Sequence, residues 1–271
     1  MSNFFNQNQI EEIISCALDA GKIAADSQIR NNFSVMKKAD NSSVTTADIA
    51  VSKFISEKLS QNFPNIPIIC EEGKLREAGE IFWLIDPIDG TSGFIDGSPE
   101  FAVNIALVKN QQPIFGLIYA PLFEGGKMVF SDHKNQIISQ NNDGERKVLE
   151  FKKSSSNILR IVTSPRTKDK DIENYLRQFY PNYGKNFAVE RLSSAIKFFR
   201  ILENSADLYL HFRQSMEWDT ASGQALVELF GANVLKVSKD PKFIDPHFIM
   251  GSRLQYQKPD FLNQFFITSV N

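Results

Sequence analysis

Residues 83–91 read Trp-Leu-Ile-Asp-Pro-Ile-Asp-Gly-Thr, WLIDPIDGT. Together with Ile81 and Phe82, the stretch opens as an apolar run that ends abruptly at Asp86 and Asp89. Such a run predicts a buried strand. Pro87 has no N–H to give a sheet ladder, so the strand is expected to stop there. Gly90 allows backbone to come close to a ligand. A strand that carries two carboxylates and bare N–H groups to one spot suits a cation and an anion held together, and Mg²⁺ with a phosphate is the obvious pair.

Around this stretch lies a chain of 271 residues, long enough for one large domain or two tightly joined lobes. Apolar residues make up 42% and charged residues 23%, the balance of an ordinary soluble globular protein. The net charge of −2 gives no sign of a polymeric nucleic acid or an anionic membrane as partner. Cys16 and Cys70 are too few and too far apart for a disulfide framework or a zinc site, which predicts a reducing cytoplasm, with peripheral membrane association left open. The start, MSNFFNQNQIEEIIS, has neither a basic n-region nor an apolar h-region, so no signal peptide is expected. No apolar run reaches membrane-spanning length. The 23 Phe read as core filler.

The periodicity of residues 8–31 predicts an amphipathic helix. Val35 to Lys38 reads as a short strand and 39–48 as a polar loop, with Thr45 or Thr46 capping a helix from Asp48 to Leu59. On that helix Ile49, Phe54, Ile55 and Leu59 fall at core spacing. Ile68 to Cys70 is a short strand leading into Glu71 and Glu72. Phe101 to Val108 and Ile114 to Tyr119 predict a hairpin, which Lys127 to Ser131 and Gln136 to Ser139 extend. The polar segment 140–157 is the best boundary between a first lobe (about 1–145) and a second (about 155–271) of one unit. Beyond it, strands alternate with helices as far as Val237: 158–163, helix 170–179, 187–191, helix 194–204, 207–212, helix 219–230, 232–237. Alternation of this kind argues for an α/β layer.

Acidic residues sit at element ends, where functional groups collect: Asp48, Glu71, Asp86, Asp89 and Asp219. A two-metal phosphatase needs such a set. Taken singly, Asp219 reads as an N-cap for TASGQALVELF, Asp48 as another cap, and Glu71-Glu72 as a solvated pair. Asp86 and Asp89 resist that treatment, because a buried strand leading into two carboxylates is costly without a cation. Their spacing differs from the Asp-x-Asp of the haloacid dehalogenase fold, which argues against a phospho-aspartate mechanism.

Glu71-Glu72, DPIDGT (86–91) and WDTASG (218–223), with VTTAD (44–48) upstream, resemble the inositol monophosphatase superfamily of Mg²⁺-dependent, lithium-sensitive phosphatases. Within it, KADNSSVTTADIAV (38–51), PEFAVNIALV (99–108), GLIYAP (116–121), SSAIKFF (193–199) and MEWDTASGQA (216–225) look most like the bacterial 3′(2′),5′-bisphosphate nucleotidases of the CysQ type. The resemblance spans about residues 35–237 and implies an α/β/α/β/α sandwich. It implies that Glu71, Asp86 and the Ile88 carbonyl hold one Mg²⁺, and that Asp86, Asp89 and Asp219 hold a second; a third, looser ion would sit near Glu71. Thr91 would orient the attacking water, with Asp48 accepting its hydroxyl proton. The N–H groups of Gly90, Thr91 and Ser92 would hold the phosphate.

On the nucleotide side, Ser194 and Lys197 match a Ser-x-x-Lys helix start. His211 stands where the nucleotidases carry an Arg, and Arg213, two residues on, would share its face and substitute for it if the strand extends that far. The alternative is a surface His211 and a solvated Lys197. Gly93, where an acidic residue is usual, and the missing Gly-Pro-Thr before Glu217 are further departures. The resulting expectation is a phosphomonoesterase acting on the 3′-phosphate of adenosine 3′,5′-bisphosphate or its sulfated form, as monomer or homodimer. Inositol phosphate or a sugar bisphosphate is the alternative substrate, and a non-catalytic metal and nucleotide sensor the alternative class.

Overall fold

Asn6 opens the first helix, α1 (Gln7–Ile29): its side chain accepts the Gln9 N–H while the Gln9 side chain accepts the Asn6 N–H, each at 3.0 Å. This reciprocal cap satisfies two donors that the helix cannot. A computed structural model describes residues 4–38, 41–73, 79–183, 186–240 and 247–270. After α1 come two short antiparallel strands, β1 (Val35–Lys37) and β2 (Ser43–Thr45). Residues 39 and 40 of the expected polar loop lie outside the described residues. Thr45 caps α2 (Thr46–Asn62), which therefore starts two residues before Asp48. The buried stripe of α2 is Ala47, Val51, Ile55 and Leu59; Ile49, expected in the core, is 46% exposed.

Among the described residues, seven strands form the first sheet, in chain order: β3 (Ile68–Cys70), β4 (Ile81–Asp89), β5 (Ala102–Lys109), β6 (Gln112–Ala120), β7 (Lys127–Ser131), β8 (Ile137–Asn141) and β9 (Arg146–Leu149). A five-residue helix, α3 (Thr91–Ile95), lies between β4 and β5. The expected hairpin is β5–β6, turned by Asn110 and Gln111 at φ 50° and 64°, the left-handed pair of a tight hairpin turn.

The second sheet takes its strands from β10 (Leu159–Thr163) onward. Then follow α4 (Asp169–Phe179), β11 (Phe187–Arg191), α5 (Lys197–Leu202), β12 (Leu208–His211), β13 (Ser215–Met216), α6 (Ala221–Leu229), β14 (Ala232–Lys239), β15 (Phe248–Arg253), β16 (Leu262–Asn263) and β17 (Phe266–Val270). Six of these strands pair in the order β11-β10-β12-β17-β14-β15, while β13 and β16 form a small ladder of their own. β17 thus inserts between β12 and β14, although the reading by periodicity ended at Val237.

Among the described residues, three apolar cores hold five layers together, the middle one enclosing α5 and α6 between the two sheets. Trp83, Ile85, Val103 and Ile105 face α1 and α2 across the first core. The alternate residues Phe82, Leu84, Ala102 and Ala106 face α5, α6 and the second sheet across another. Leu159, Ile161, Leu208 and Leu210 meet α4 in the third. The result is an α/β/α/β/α sandwich. β4 is buried on both faces, which explains why its sequence is a continuous apolar run.

α6 fits between the sheets because its inner surface is small: Ala221, Ser222, Gly223 and Ala225 are all buried. A Cβ at Gly116 of β6 would lie 2.2 Å from the Ser222 carbonyl oxygen, and one at Gly223 would lie 2.1 Å from the Phe198 ring. The backbone oxygen cannot swing aside. Gly116→Ala is therefore expected to destabilise the fold by about 1–3 kcal/mol, as overpacking does. Urea unfolding checks this; an unchanged midpoint would contradict the close approach of α6 to β6.

Candidate active site

The strand β4 does not stop at Pro87. It continues to Asp89 through a bulge: Asp86 pairs with Asn104 but Asp89 with Ala102, so three steps on β4 match two on β5. The irregularity absorbs the missing proline N–H. It also resets the alternation of faces. In a regular strand, residues three apart point to opposite sides; here Asp86 and Asp89 turn to the same side. Carboxylate oxygens of Asp86, Asp89 and Asp219 lie within 4.8 Å of one another.

Asp219 arrives from the second half of the chain on the 3-10 turn Glu217–Asp219. It does not cap α6, whose N-cap is Thr220; it accepts instead the Met216 N–H at 2.8 Å. Glu217 is fully buried and accepts the N–H groups of Gln257 (2.7 Å) and Lys258 (3.0 Å), with the Lys258 ammonium at 2.6 Å. Trp218 packs in the inter-sheet core. Glu-Trp-Asp is thus a clamp, an anchor and a site residue in succession.

Glu71 follows β3, the parallel neighbour of β4, and its N–H donates to the Ile85 carbonyl at 3.1 Å, which sets it beside Asp86. Its carboxylate stands outside the cluster of three and pairs with Lys38, 2.8 Å away; the same ammonium reaches Glu72 at 2.6 Å. The Ile88 carbonyl accepts from the Thr91 hydroxyl at 3.1 Å. That hydroxyl also lies 3.2 Å from Asp48 Oδ1. Asp48 Oδ2 is held by the Thr45 N–H (2.8 Å) and hydroxyl (2.5 Å), so the helix cap fixes the carboxylate that faces Thr91. Gly90 sits at φ 96°, and a Cβ there would be 3.0 Å from the Glu100 carbonyl oxygen. Only glycine suits that position, from which the chain turns into α3 with the Thr91 and Ser92 N–H groups free of intrahelical acceptors.

Burial, then the charges of Glu71, Asp89, Asp219 and Asp48, push the Asp86 carboxyl well above the usual range. Burial, then Asp89 and Glu71, do the same to Asp219. Burial pushes Asp89 up to about 6 against the pull of Lys197 and of the N–H donors of Ala195 and Asn104. Asp48 is also raised by burial, opposed by Thr45 and Thr91. Such crowding of carboxylates calls for a cation. The donor set is all oxygen, which fits a hard divalent ion such as Mg²⁺.

A cleft of about 360 Å³ opens beside the cluster, lined by Asp89, Asp219, Ser92, Ser194, Lys197, His211 and Arg213, and by Gly93. Lys197 is not a solvated helix charge. It is 4% exposed, its ammonium donates to the Ser194 carbonyl, and burial lowers it to about 8 despite Asp89, Asp219 and Glu100. Nor is His211 a surface residue. Its ring stacks on Phe266, Nδ1 lies 3.3 Å from the Tyr209 hydroxyl, and Nε2 is buried without a partner. Burial, then Lys197 and Arg213, lower it to about 3, so the imidazole is neutral. The helix expected from Ser194 begins at Lys197, and Ser194 itself sits at φ 53°. β12 ends at His211, so Arg213 reaches the cleft from the following loop and not from a strand face. Sequence reasoning missed Arg166, in the loop after β10, which lines the same cleft. It also missed Asn104, which donates to Asp89. An asparagine inside the apolar run FAVNIALV was the signal for the second; nothing local marked the first.

The chain matches the inositol monophosphatase family over residues 6–267 and belongs to it. It is 33% identical to the 3′(2′),5′-bisphosphate nucleotidase CysQ of Shigella flexneri over 87% of this chain and 89% of the relative. It is 30% identical to the Haemophilus influenzae protein of the same name over 90% and 93%. The crystal structure of CysQ from Bacteroides thetaiotaomicron, a bacterial member of the inositol monophosphatase family, superposes with a TM-score of 0.74 at 25% identity, covering 98% of each chain. The protein is therefore an enzyme, a hydrolase of a metal-dependent phosphatase family. No helix among the described residues is long and apolar enough to cross a membrane.

The raised carboxyls give a pH prediction. Without metal, the folded state keeps protons that the unfolded chain releases above about pH 4. The cluster's contribution to stability should then fall as pH rises from there through about 6, where Asp89 titrates. Melting in a chelator should show this loss, and Mg²⁺ should raise the melting temperature more at neutral pH than at about pH 5. A melt indifferent to Mg²⁺ at neutral pH would contradict the cation site.

Proposed function

We propose that the protein is a Mg²⁺-dependent phosphomonoesterase that removes the 3′-phosphate of adenosine 3′,5′-bisphosphate or a closely similar bisphosphate nucleotide. The observation that carries this reading is a single cleft lined both by the carboxylates Asp89 and Asp219 and by the cations Lys197, Arg166 and Arg213. The carboxylates suit the reacting phosphate with its metal; the cations suit a second anionic group on the same substrate. Both arginines are exposed and line this cleft. Both bacterial relatives are named 3′(2′),5′-bisphosphate nucleotidases, which supports the same substrate class.

In this reading Glu71, Asp86 and the Ile88 carbonyl would hold one Mg²⁺, Asp86, Asp89 and Asp219 would hold a second, and a third would be taken near Glu71. When bound, the ions polarise the phosphate and lower the pKa of a water. Thr91 gives its hydroxyl proton to Asp48 Oδ1, at 3.2 Å, and so presents its lone pairs to the attacking water. The N–H groups of Gly90, Thr91 and Ser92 bind the phosphate oxygens. As the water oxygen bonds to phosphorus and the ester P–O bond breaks, the water's proton passes to the Thr91–Asp48 pair, and the departing 3′ oxygen takes one proton from solvent, to which the pair then returns its own. Ser194, Lys197 and His211 line the leaving-group side. The unpaired Cys16 and Cys70 fit a reducing cytoplasm as the place of work.

A phosphate-release assay across adenosine 3′,5′-bisphosphate, inositol 1-phosphate and fructose 1,6-bisphosphate tests the substrate. Preference for either of the last two would overturn it. Asp89→Asn should abolish turnover in a folded protein, and Thr91→Ala should lower kcat by about 10²–10⁴. The double change Arg166→Ala with Arg213→Ala should raise KM for the bisphosphate by at least about 10-fold, as expected for lost charged hydrogen bonds, while leaving a 3′-monophosphate little affected. Equal effects on the two substrates would remove the assignment of a second anion to these arginines.

A further inference from the structure

Asn104 is the polar exception on an otherwise apolar face of β5. Ala102, Ala106 and Val108 on the same face belong to the inter-sheet core, and Asn104 is 0% exposed. It stands directly across the ladder from Asp86. Its Nδ2 donates to Asp89 Oδ2 at 3.3 Å, and its Oδ1 is buried without a partner. An amide meets an ionised carboxylate only through its nitrogen, so the chemistry fixes this orientation. A leucine would suit the surroundings better, since an unpaired amide oxygen in a core is costly. What Asn104 does offer is its hydrogen bond to Asp89. The Ala195 N–H, from the loop before α5, donates to the same oxygen. Both donors therefore take Oδ2, and Oδ1 of Asp89 accepts no hydrogen bond among the described residues.

We propose that Asn104 is a positioning residue of the cation site: with the Ala195 N–H it holds Asp89 Oδ2 and leaves Oδ1 as the oxygen offered to the ion. Groups behind a ligand orient it in this way, and their loss typically costs 10–100-fold in metal affinity. The inference rests on the reading of Asp86, Asp89 and Asp219 as metal ligands. It also gives the asparagine in FAVNIALV a reason to be there, since packing supplies none.

The test uses chelator-treated full-length protein titrated with Mn²⁺, followed by electron paramagnetic resonance and calorimetry. In Asn104→Leu the metal-free melting temperature should stay level or rise, because an orphaned oxygen leaves the core. Mn²⁺ affinity should fall about 10–100-fold, and saturating Mn²⁺ should restore kcat. Asn104→Ser, too short to reach Asp89, should show the same loss of affinity and stands in if the leucine variant does not fold. Wild-type Mn²⁺ affinity in these variants would overturn the proposal whatever their melting temperatures, and would leave the metal-site reading intact. Failure of the wild-type protein to bind Mn²⁺ would overturn that reading and the proposal with it.

Discussion

The bulge at Pro87 and Ile88 is the constraint on which the rest of the site depends. Two aspartates three residues apart on a regular strand face opposite sides of a sheet. One extra residue on β4, set against β5, turns both toward the space between the sheets. Without it, Asp89 would face the helices α1 and α2 across a core built from Trp83, Ile85 and Val103. No cation site could then form with Asp219. Pro87 sits in the bulge, a place where a sheet tolerates its missing donor.

The other parts are brought to this point by packing rather than by local sequence. Asp219 reaches the cluster because Glu217 and Trp218 fix the turn before it and because α6 has small residues where it meets Gly116. Asp48 reaches Thr91 through the Thr45 cap of α2. Lys197 is buried beside Asp89, which balances part of the negative charge from the second half of the chain. The site is thus a seam between two sheets. Its carboxylates are crowded enough that burial and mutual repulsion raise Asp86, Asp89 and Asp219 together. Such an arrangement is uncomfortable for bare carboxylates and natural for hard divalent ions.

Much of this was legible in the sequence, for physical reasons that differ by region. β4 declared itself because it is buried on both faces, and the β5–β6 hairpin because its two runs are separated by a short polar link. β17 is hard to read although FITSV is rich in strand-forming residues, because its partners β12 and β14 are distant in sequence and no hairpin signal accompanies it. Asp219 looked like a cap because it precedes a helix, and only the turn from Glu217 reveals that its oxygens turn elsewhere. Ile49 matched the spacing of a core position yet lies on the outer side of α2, since the true stripe begins at Ala47. The substrate side was hardest to read. The neutral state of His211 follows from burial against Phe266, and Arg166 gains meaning only from the loop that carries it to the cleft.

Anomalous scattering from crystals grown with Mn²⁺ tests the central claim most directly. A peak bound by one oxygen each from Asp86, Asp89 and Asp219 is the predicted result. Mn²⁺ found only elsewhere, or Asp86 and Asp89 bound to no common ion, would contradict it.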